Sequence, residues 1–325
     1  MNRSGKLLPL LLFLSVAGCL AARESEGGFY RISPGSYSPL NNEILATVEL
    51  PQGGDYLFVY NLTEKKVRNQ FLSQKAFDFA WAPGRAEFLV TDSSSLVLFC
   101  QSEGKDEAVL SGVAVAAPVN WFYTFCSWSE RGSWAAVHCS GMDEPFDERL
   151  GLYNAKDRTF QITKIEYGLF APCLWKDDQT LFVPNENELL EVSLDKGTPQ
   201  IAKRLPVEHP GRDHVLAFVN GEFLMEENGC FRLGENELVS LDEKTVTCCI
   251  ATQQYLFVST SESEVLVTDL RKRTVLRAKS ARPIAYWARG KEADTVFGVA
   301  GDQLLRISCK DDKVLIETII CLDPQ

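Results

Sequence analysis

Catalysis and metal binding need groups that can share a proton, attack a substrate or grip an ion, and this chain offers few of them at useful spacing. It has 3 histidines in 325 residues. Two of them belong to His209-Pro-Gly-Arg-Asp213-His214, where a Pro-Gly turn separates the candidate ligands; a metal there would need a third ligand that the sequence does not supply, so the segment reads as a solvated loop. His138 stands within an apolar stretch and reads as a hydrogen-bonded structural residue. Carboxylates are plentiful, 44 Asp and Glu, but no pair is marked by spacing for acid–base work, and no nucleophile can be matched to a base. No catalytic residue, metal ligand or cofactor is assigned.

The 10 cysteines are scattered, with no CxxC pair and no Cys/His spacing suited to zinc. Most read as small buried strand residues. Cys126 and Cys139 differ, because they lie almost symmetrically about the turn at Glu130–Ser133 and could face each other across a hairpin as a disulfide.

Charge is densest in Met142–Arg149, MDEPFDER, which carries Asp143, Glu144, Asp147 and Glu148. The nearby connection Gly112–Phe122, GVAVAAPVNWF, is apolar where a solvent loop would be polar, and it ends in Trp121 and Phe122. An acidic loop beside an apolar one makes a candidate partner-binding rim. The competing reading is a solvated acidic loop and an inserted segment tucked against the fold. A formal charge of −11 argues against nucleic acid as the partner, since gripping phosphates takes a basic surface.

These groups are positioned by a repeating unit. In Ala76–Leu110 an apolar run ends at Trp81, Pro83-Gly84 turns the chain, and Glu87–Thr91, Ser95–Cys100 and Glu107–Leu110 follow as further strand-forming runs. Four short antiparallel strands cannot hide both their faces alone. Self-similarity at a period of roughly 40 residues means that copies stack, and four strands per copy is the pattern of a β-propeller blade. Aligning copies on the residue that ends the first strand gives Tyr37, Trp81, Trp128, Trp175, Phe218, Ile250 and Trp287. A polar turn between third and fourth strands, as in LYNAKDRTFQI and ISCKDDKVLIE, recurs in the same phase. The expected fold is all-β, a propeller of four-stranded antiparallel blades over residues 29–325, seven by this count, with six or eight as alternatives. A strand borrowed from the other terminus to close the ring is compatible with the count but not required by it. The aromatic series reads as packing between blades.

Tyr37-Ser38-Pro39, Trp81-Ala82-Pro83-Gly84 and Trp128-Ser129 resemble the W-S-P-D-G turn of the TolB-type and WD-repeat-like propellers of bacterial envelopes. Trp175-Lys176-Asp177-Asp178 keeps part of that motif, and the copies at Phe218 and Ile250 have lost it. The resemblance implies the propeller fold; the chain has no room for the α/β domain that precedes the propeller in TolB, so TolB's partners are not implied. Ser193–Thr198 resembles half of the Asp-box of sialidase propellers, occurs once, and reads as a hairpin turn.

At the amino end, Arg3 and Lys6 precede the apolar run Leu7–Ala17, whose length suits an export signal and is too short to span a bilayer. Val16-Ala17-Gly18-Cys19 resembles the bacterial lipobox. The resemblance implies a signal peptide over residues 1–18, lipidation at Cys19, and a tether over 19–28; an ordinary cleaved signal is the alternative. Leu20 after the cysteine leans towards the outer membrane if the cell is Gram-negative. The expectation is a lipid-anchored module at the bacterial cell envelope, periplasmic or surface facing, that binds a protein or another envelope component. The alternative is a propeller enzyme, a hydrolase or lyase on carbohydrate or peptide, with its site at the central channel.

Overall fold

A computed structural model describes residues 29–321 apart from 50–54, 74–75, 93–94, 104–107, 116–119, 143–146, 169–171, 186–187, 196, 207–213 and 243–244. The proposed signal, Cys19 and the tether therefore lie outside the described residues. Among the described residues no helix is long and apolar enough to cross a membrane.

Seven antiparallel sheets, each drawn from consecutive residues, form the ring of a seven-bladed β-propeller. They take residues 29–73, 76–114, 121–166, 174–206, 214–240, 246–279 and 286–321, hereafter blades 1 to 7. Within each blade the first strand is innermost and the fourth outermost. Burial follows that order: in blade 4 the second strand, Thr180–Asn185, is buried along its middle, while the fourth, Thr198–Pro206, is largely exposed. In blade 1 the inner strand is split into Phe29–Arg31 and Tyr37–Ser38, both paired with Glu43–Glu49.

The repeat markers fall on the inner strands. Trp81, Trp128 and Trp175 end theirs, Phe218 and Ile250 stand one residue before the end, and Trp287 is the second residue of Tyr286–Arg289. Each tryptophan packs back on the preceding blade. Trp128 sits in one apolar cluster with Ala80, Leu89 and Leu98 of blade 2, and burying a side chain of this kind stabilises by about 1.5–3 kcal/mol. Its indole Nε1 donates to Ala80 O at 2.9 Å, and Trp175 Nε1 donates to Ser127 O at 3.1 Å, so the same bond recurs one blade later. Asp178 supplies a second clasp: its Oδ1 accepts from Ser129 Oγ at 2.5 Å and from Arg131 N at 3.1 Å, tying the turn of blade 4 to that of blade 3. Gly132 has a φ of 68° and lies so close to blade 2 that a Cβ would stand 2.7 Å from Pro83 O, which leaves glycine as the residue that fits.

Among the described residues no strand is shared between the first and last blades. The ring closes on an apolar cluster of Ile44, Ala46 and Tyr60 from blade 1 with Ala288, Phe297 and Val299 from blade 7. Arg289 N donates to Pro34 O at 3.2 Å across the same seam.

Candidate functional site

The rim begins where the inner strand of blade 3 starts. Trp121 and Phe122 are the first residues of Trp121–Trp128, paired with Gly141 and Ser140 of the second strand, rather than part of a connecting loop. Gly112 also leaves the expected loop, because the fourth strand of blade 2 runs on to Ala114 and pairs Gly112 with Phe99. A Cβ at Gly112 would come within 2.9 Å of the Phe99 ring, so the strand continues over that aromatic face. The apolar character that singled out this segment therefore belongs partly to strand pairing.

Backbone bonds then bring the two halves of the rim together. Met142 N donates to Asn120 O at 2.9 Å, and Gly141 N donates to Asp147 O at 2.9 Å, so the start of the first strand and the connection after the second lie side by side. Trp121 is half-buried against the blade 3 cluster, whereas Phe122 (39% exposed) and Met142 (48% exposed) present apolar surface to solvent. Asp147 pairs with Arg149 at 2.5 Å, and the same guanidinium donates to Lys164 O at 3.1 Å. Glu148 is the first residue of the third strand, opposite Ser140, and not a loop residue. Asp143 and Glu144 lie outside the described residues, as do residues 209–213 of the histidine-bearing connection.

Cys126 and Cys139 are both buried and both free. A bulge between Tyr123 and Cys126 shifts the register, so Cys139 faces Tyr123 while Cys126 faces Val137, and the expected opposed pair is not formed. Burial pushes both thiols well above the usual cysteine range, which suits packing and not reactivity. His138 is fully buried, with Nδ1 2.6 Å from Thr124 Oγ1 and its ring edge-on to Tyr167 at 4.6 Å. Burial lowers its pKa to about 4, leaving a neutral imidazole in the role of a structural hydrogen-bonding partner.

Sequence reasoning passed over Asp78. On the inner strand of blade 2, its Oδ2 accepts from Cys126 N of blade 3 at 2.9 Å and its Oδ1 from Phe79 N at 2.8 Å. Burial raises its pKa to about 6, against the lowering effect of those backbone bonds, of Ser33 and of Arg31. Thr91 Oγ1 donates to Thr124 O across the same junction. Two further charged groups of the inner strands are likewise engaged on backbone: Arg31 donates to Ala76 O at 3.0 Å, and Arg289 Nε donates to Ala251 O at 2.9 Å. A lone Asp five residues upstream of a turn carries no spacing signal, so only the three-dimensional pairing exposes it. Among the described residues no group of three or more His, Cys, Asp or Glu could hold a metal ion.

No protein-family model matches the chain, and no curated protein matches it. Similarity lies in shape. The chain is similar to the crystal structure of Chaetomium thermophilum Raptor, at 12% identity and a TM-score of 0.63, over 89% of this chain but only 29% of that one. It is also similar to the computationally designed Ika8 protein, at 12% identity and a TM-score of 0.56, over 90% of this chain and 88% of that one. This chain thus spans less than a third of Raptor's length, and at such identities the two structures show a likeness of fold alone.

Proposed function

We propose that the chain is a binding or assembly propeller of the bacterial cell envelope, anchored through Cys19 and engaging a protein or envelope component with the rim at the start of blade 3. The observation that carries this reading is the juxtaposition of exposed Phe122 and Met142 with the Asp147–Arg149 pair, held by the Met142 to Asn120 backbone bond. Apolar anchors framed by charge are the usual composition of a contact surface. The competing reading, a hydrolase or lyase at the channel, requires acid, base and cation to converge on a substrate. Asp78, Arg31 and Arg289 instead bond to neighbouring backbone, which favours the scaffold.

The test is co-purification of the full chain from solubilised membranes, with Phe122→Asp and Met142→Glu compared against the parent and circular dichroism confirming the fold. Loss of a co-purifying component in both variants is the expected result. An unchanged set of partners in two folded variants eliminates the rim.

A further inference from the structure

The fourth strand of each blade is an edge: on its outer side a row of backbone N–H and C=O groups has no partner within the sheet. Sheets commonly protect such rows from stray pairing with charge or proline. Six of the seven outer strands here carry charge, with Lys66, Lys164, Lys203, Glu237, Arg277 and Lys313 among their residues. Ala108–Ala114, the outer strand of blade 2, reads AVLSGVA and has neither charge nor proline.

One bond fixes the direction of its backbone groups. Val115 N donates to Leu96 O at 2.9 Å, and the register continues as Val97 with Ala114, Leu98 with Val113 and Phe99 with Gly112. Along an antiparallel pair, residues that exchange both bonds alternate with residues that exchange none. Val113, Ser111 and Val109 therefore turn their backbone groups inward to the blade, while Ala114, Gly112, Leu110 and Ala108 turn theirs outward. Among the described residues nothing takes up that outward row. Gly112 and Ala114 are exposed, and Val113 is 56% exposed.

The strand also reads nearly the same in both directions. A two-fold axis at Ser111 sets Ala108 against Ala114, Val109 against Val113 and Leu110 against Gly112 of another copy, with Ser111 against itself. In that register outward residues meet only outward residues, so each outward N–H finds an outward C=O. It is also the register in which the whole strand overlaps. Valine across from valine is a favourable cross-strand pair, leucine across from glycine has room, and no like charges meet.

We infer that Ala108–Ala114 pairs with the same strand of a second copy of this chain, antiparallel about a two-fold axis at Ser111. Two blade sheets then continue into each other. The contact is isologous and uses up both edges, so association stops at two copies. Seven residues make a seam about 24 Å long. Its area falls below the roughly 1,200–2,000 Å² of a standard interface, which sets the expected dissociation constant at roughly micromolar. None of the rim residues Phe122, Met142 and Asp147 takes part, so the dimer and the rim stand or fall separately.

The experiment is sedimentation equilibrium of the purified full chain in density-matched detergent, with circular dichroism and urea midpoints confirming the fold of each variant. The parent is expected to equilibrate between monomer and dimer. Val113→Lys puts a charge on the exposed strand, and Ala114→Pro removes an outward N–H without touching the blade's own ladder; each should weaken the dimer about tenfold or more. Ile201→Lys, the same change on the outer strand of blade 4, should leave it unaltered.

A second measurement reads the register directly. In a Cys100→Ser, Cys321→Ser background, which removes the thiol opposite Ser111 within the blade and the exposed terminal one, Ser111→Cys should give a disulfide-linked dimer under mild oxidation. Its two Cα atoms would lie about 4.5 Å apart. Val113→Cys should not cross-link, because its symmetry mate lies about 14 Å away. A parent that stays monomeric at about 100 µM, a dimer indifferent to Val113→Lys and Ala114→Pro, assembly beyond two copies, or cross-linking at Val113 and not at Ser111 overturns the inference. Each of these outcomes leaves the blade 3 rim to be judged by its own variants.

Discussion

The junction between blades 3 and 4 and the seam between blades 7 and 1 solve one problem in two ways. At the first, Trp175 reaches Ser127 O, Ser127 Oγ donates to Cys173 O at 3.1 Å, and Asp178 holds Ser129 and Arg131. At the seam, apolar packing is prominent, with Tyr37 against Phe297 at 5.1 Å between ring centroids and a backbone bond from Arg289 to Pro34. The difference shows what the residual W-S-P-D-G motif does in this chain. At Trp128 and Trp175 its tryptophan is the donor, and at Asp178 its aspartate is the acceptor, that stitches a blade to the one before it. Where the motif is lost the stitches change kind: Phe182, Phe218 and Phe223 cluster between blades 4 and 5, with ring centroids 4.8–5.0 Å apart.

The largest effect is expected at the stitched junctions. Trp128→Ala should cost about 3–5 kcal/mol in urea unfolding, through the lost buried indole. Trp128→Phe should cost about 1–2 kcal/mol, because Ala80 O then loses the indole N–H. A Phe variant as stable as the parent would break the comparison, since the bond would then contribute nothing.

Asp78 sharpens it further. Its folded pKa of about 6 lies above the ordinary value of 3.8, so the cost of holding a buried carboxylate is full above about pH 6 and is relieved as pH falls towards 3.8. Asp78 is half-buried, and with solvent screening of that carboxylate the junction of blades 2 and 3 should gain about 2 kcal/mol between pH 7 and pH 4. Asp78→Asn should flatten that part of the stability profile, and an unchanged profile would remove the assignment.

Native-state hydrogen exchange tests the seam itself. Opening free energies for amides of Ile44, Ala46 and Val299 should fall about 2 kcal/mol below those of Val137 and Leu152 in blade 3. Equal values would mean that packing alone closes the ring as firmly as stitching. Asp178→Ala should cost about 1–2 kcal/mol by freeing Ser129 Oγ and Arg131 N. Burial alone would raise the Asp178 pKa, but bonds from Ser129, Ser133 and Arg131 outweigh it and hold the carboxyl below its usual range. The stability it contributes is therefore present above the ordinary carboxylate pKa and is lost only as pH falls below it. The smallest effect belongs to Trp81→Phe. Trp81 Nε1 is buried with no hydrogen-bond partner among the described residues, so removing the N–H should change stability by less than about 0.5 kcal/mol.

The blade count and the inner strands were legible because one aromatic or apolar position per copy has a mechanical task, and that task forces a residue type. Boundaries were less so. Gly112–Ala114 reads as a loop until the Phe99 ring beneath it is seen, and Phe218 and Ile250 mark their strands one residue early because nothing in their turns replaces the lost motif. The bulge before Cys126 could not be read from the spacing of two thiols about a turn, since one extra residue shifts the alternation of buried side chains along Trp121–Trp128 and separates the pair. Of the rim, Trp121, Phe122, Asp147 and Glu148 were named from composition. Their adjacency depends on the Asn120 to Met142 bond, which no pattern announces, and Met142, which only bounded the acidic segment in the sequence, gains its place as an exposed apolar residue from the structure.

Because every sheet is drawn from consecutive residues, the order of synthesis and the order of assembly can coincide. A propeller whose first blade waits for a strand from the last must carry an unfinished, sticky edge until translation or translocation ends. Here blade 1 completes its pairing once Ser73 has emerged, and only the final docking of blade 7 awaits the last residues. A chain threaded through a membrane in extended form would gain from that arrangement, since each segment can leave the aggregation-prone state before its successor arrives.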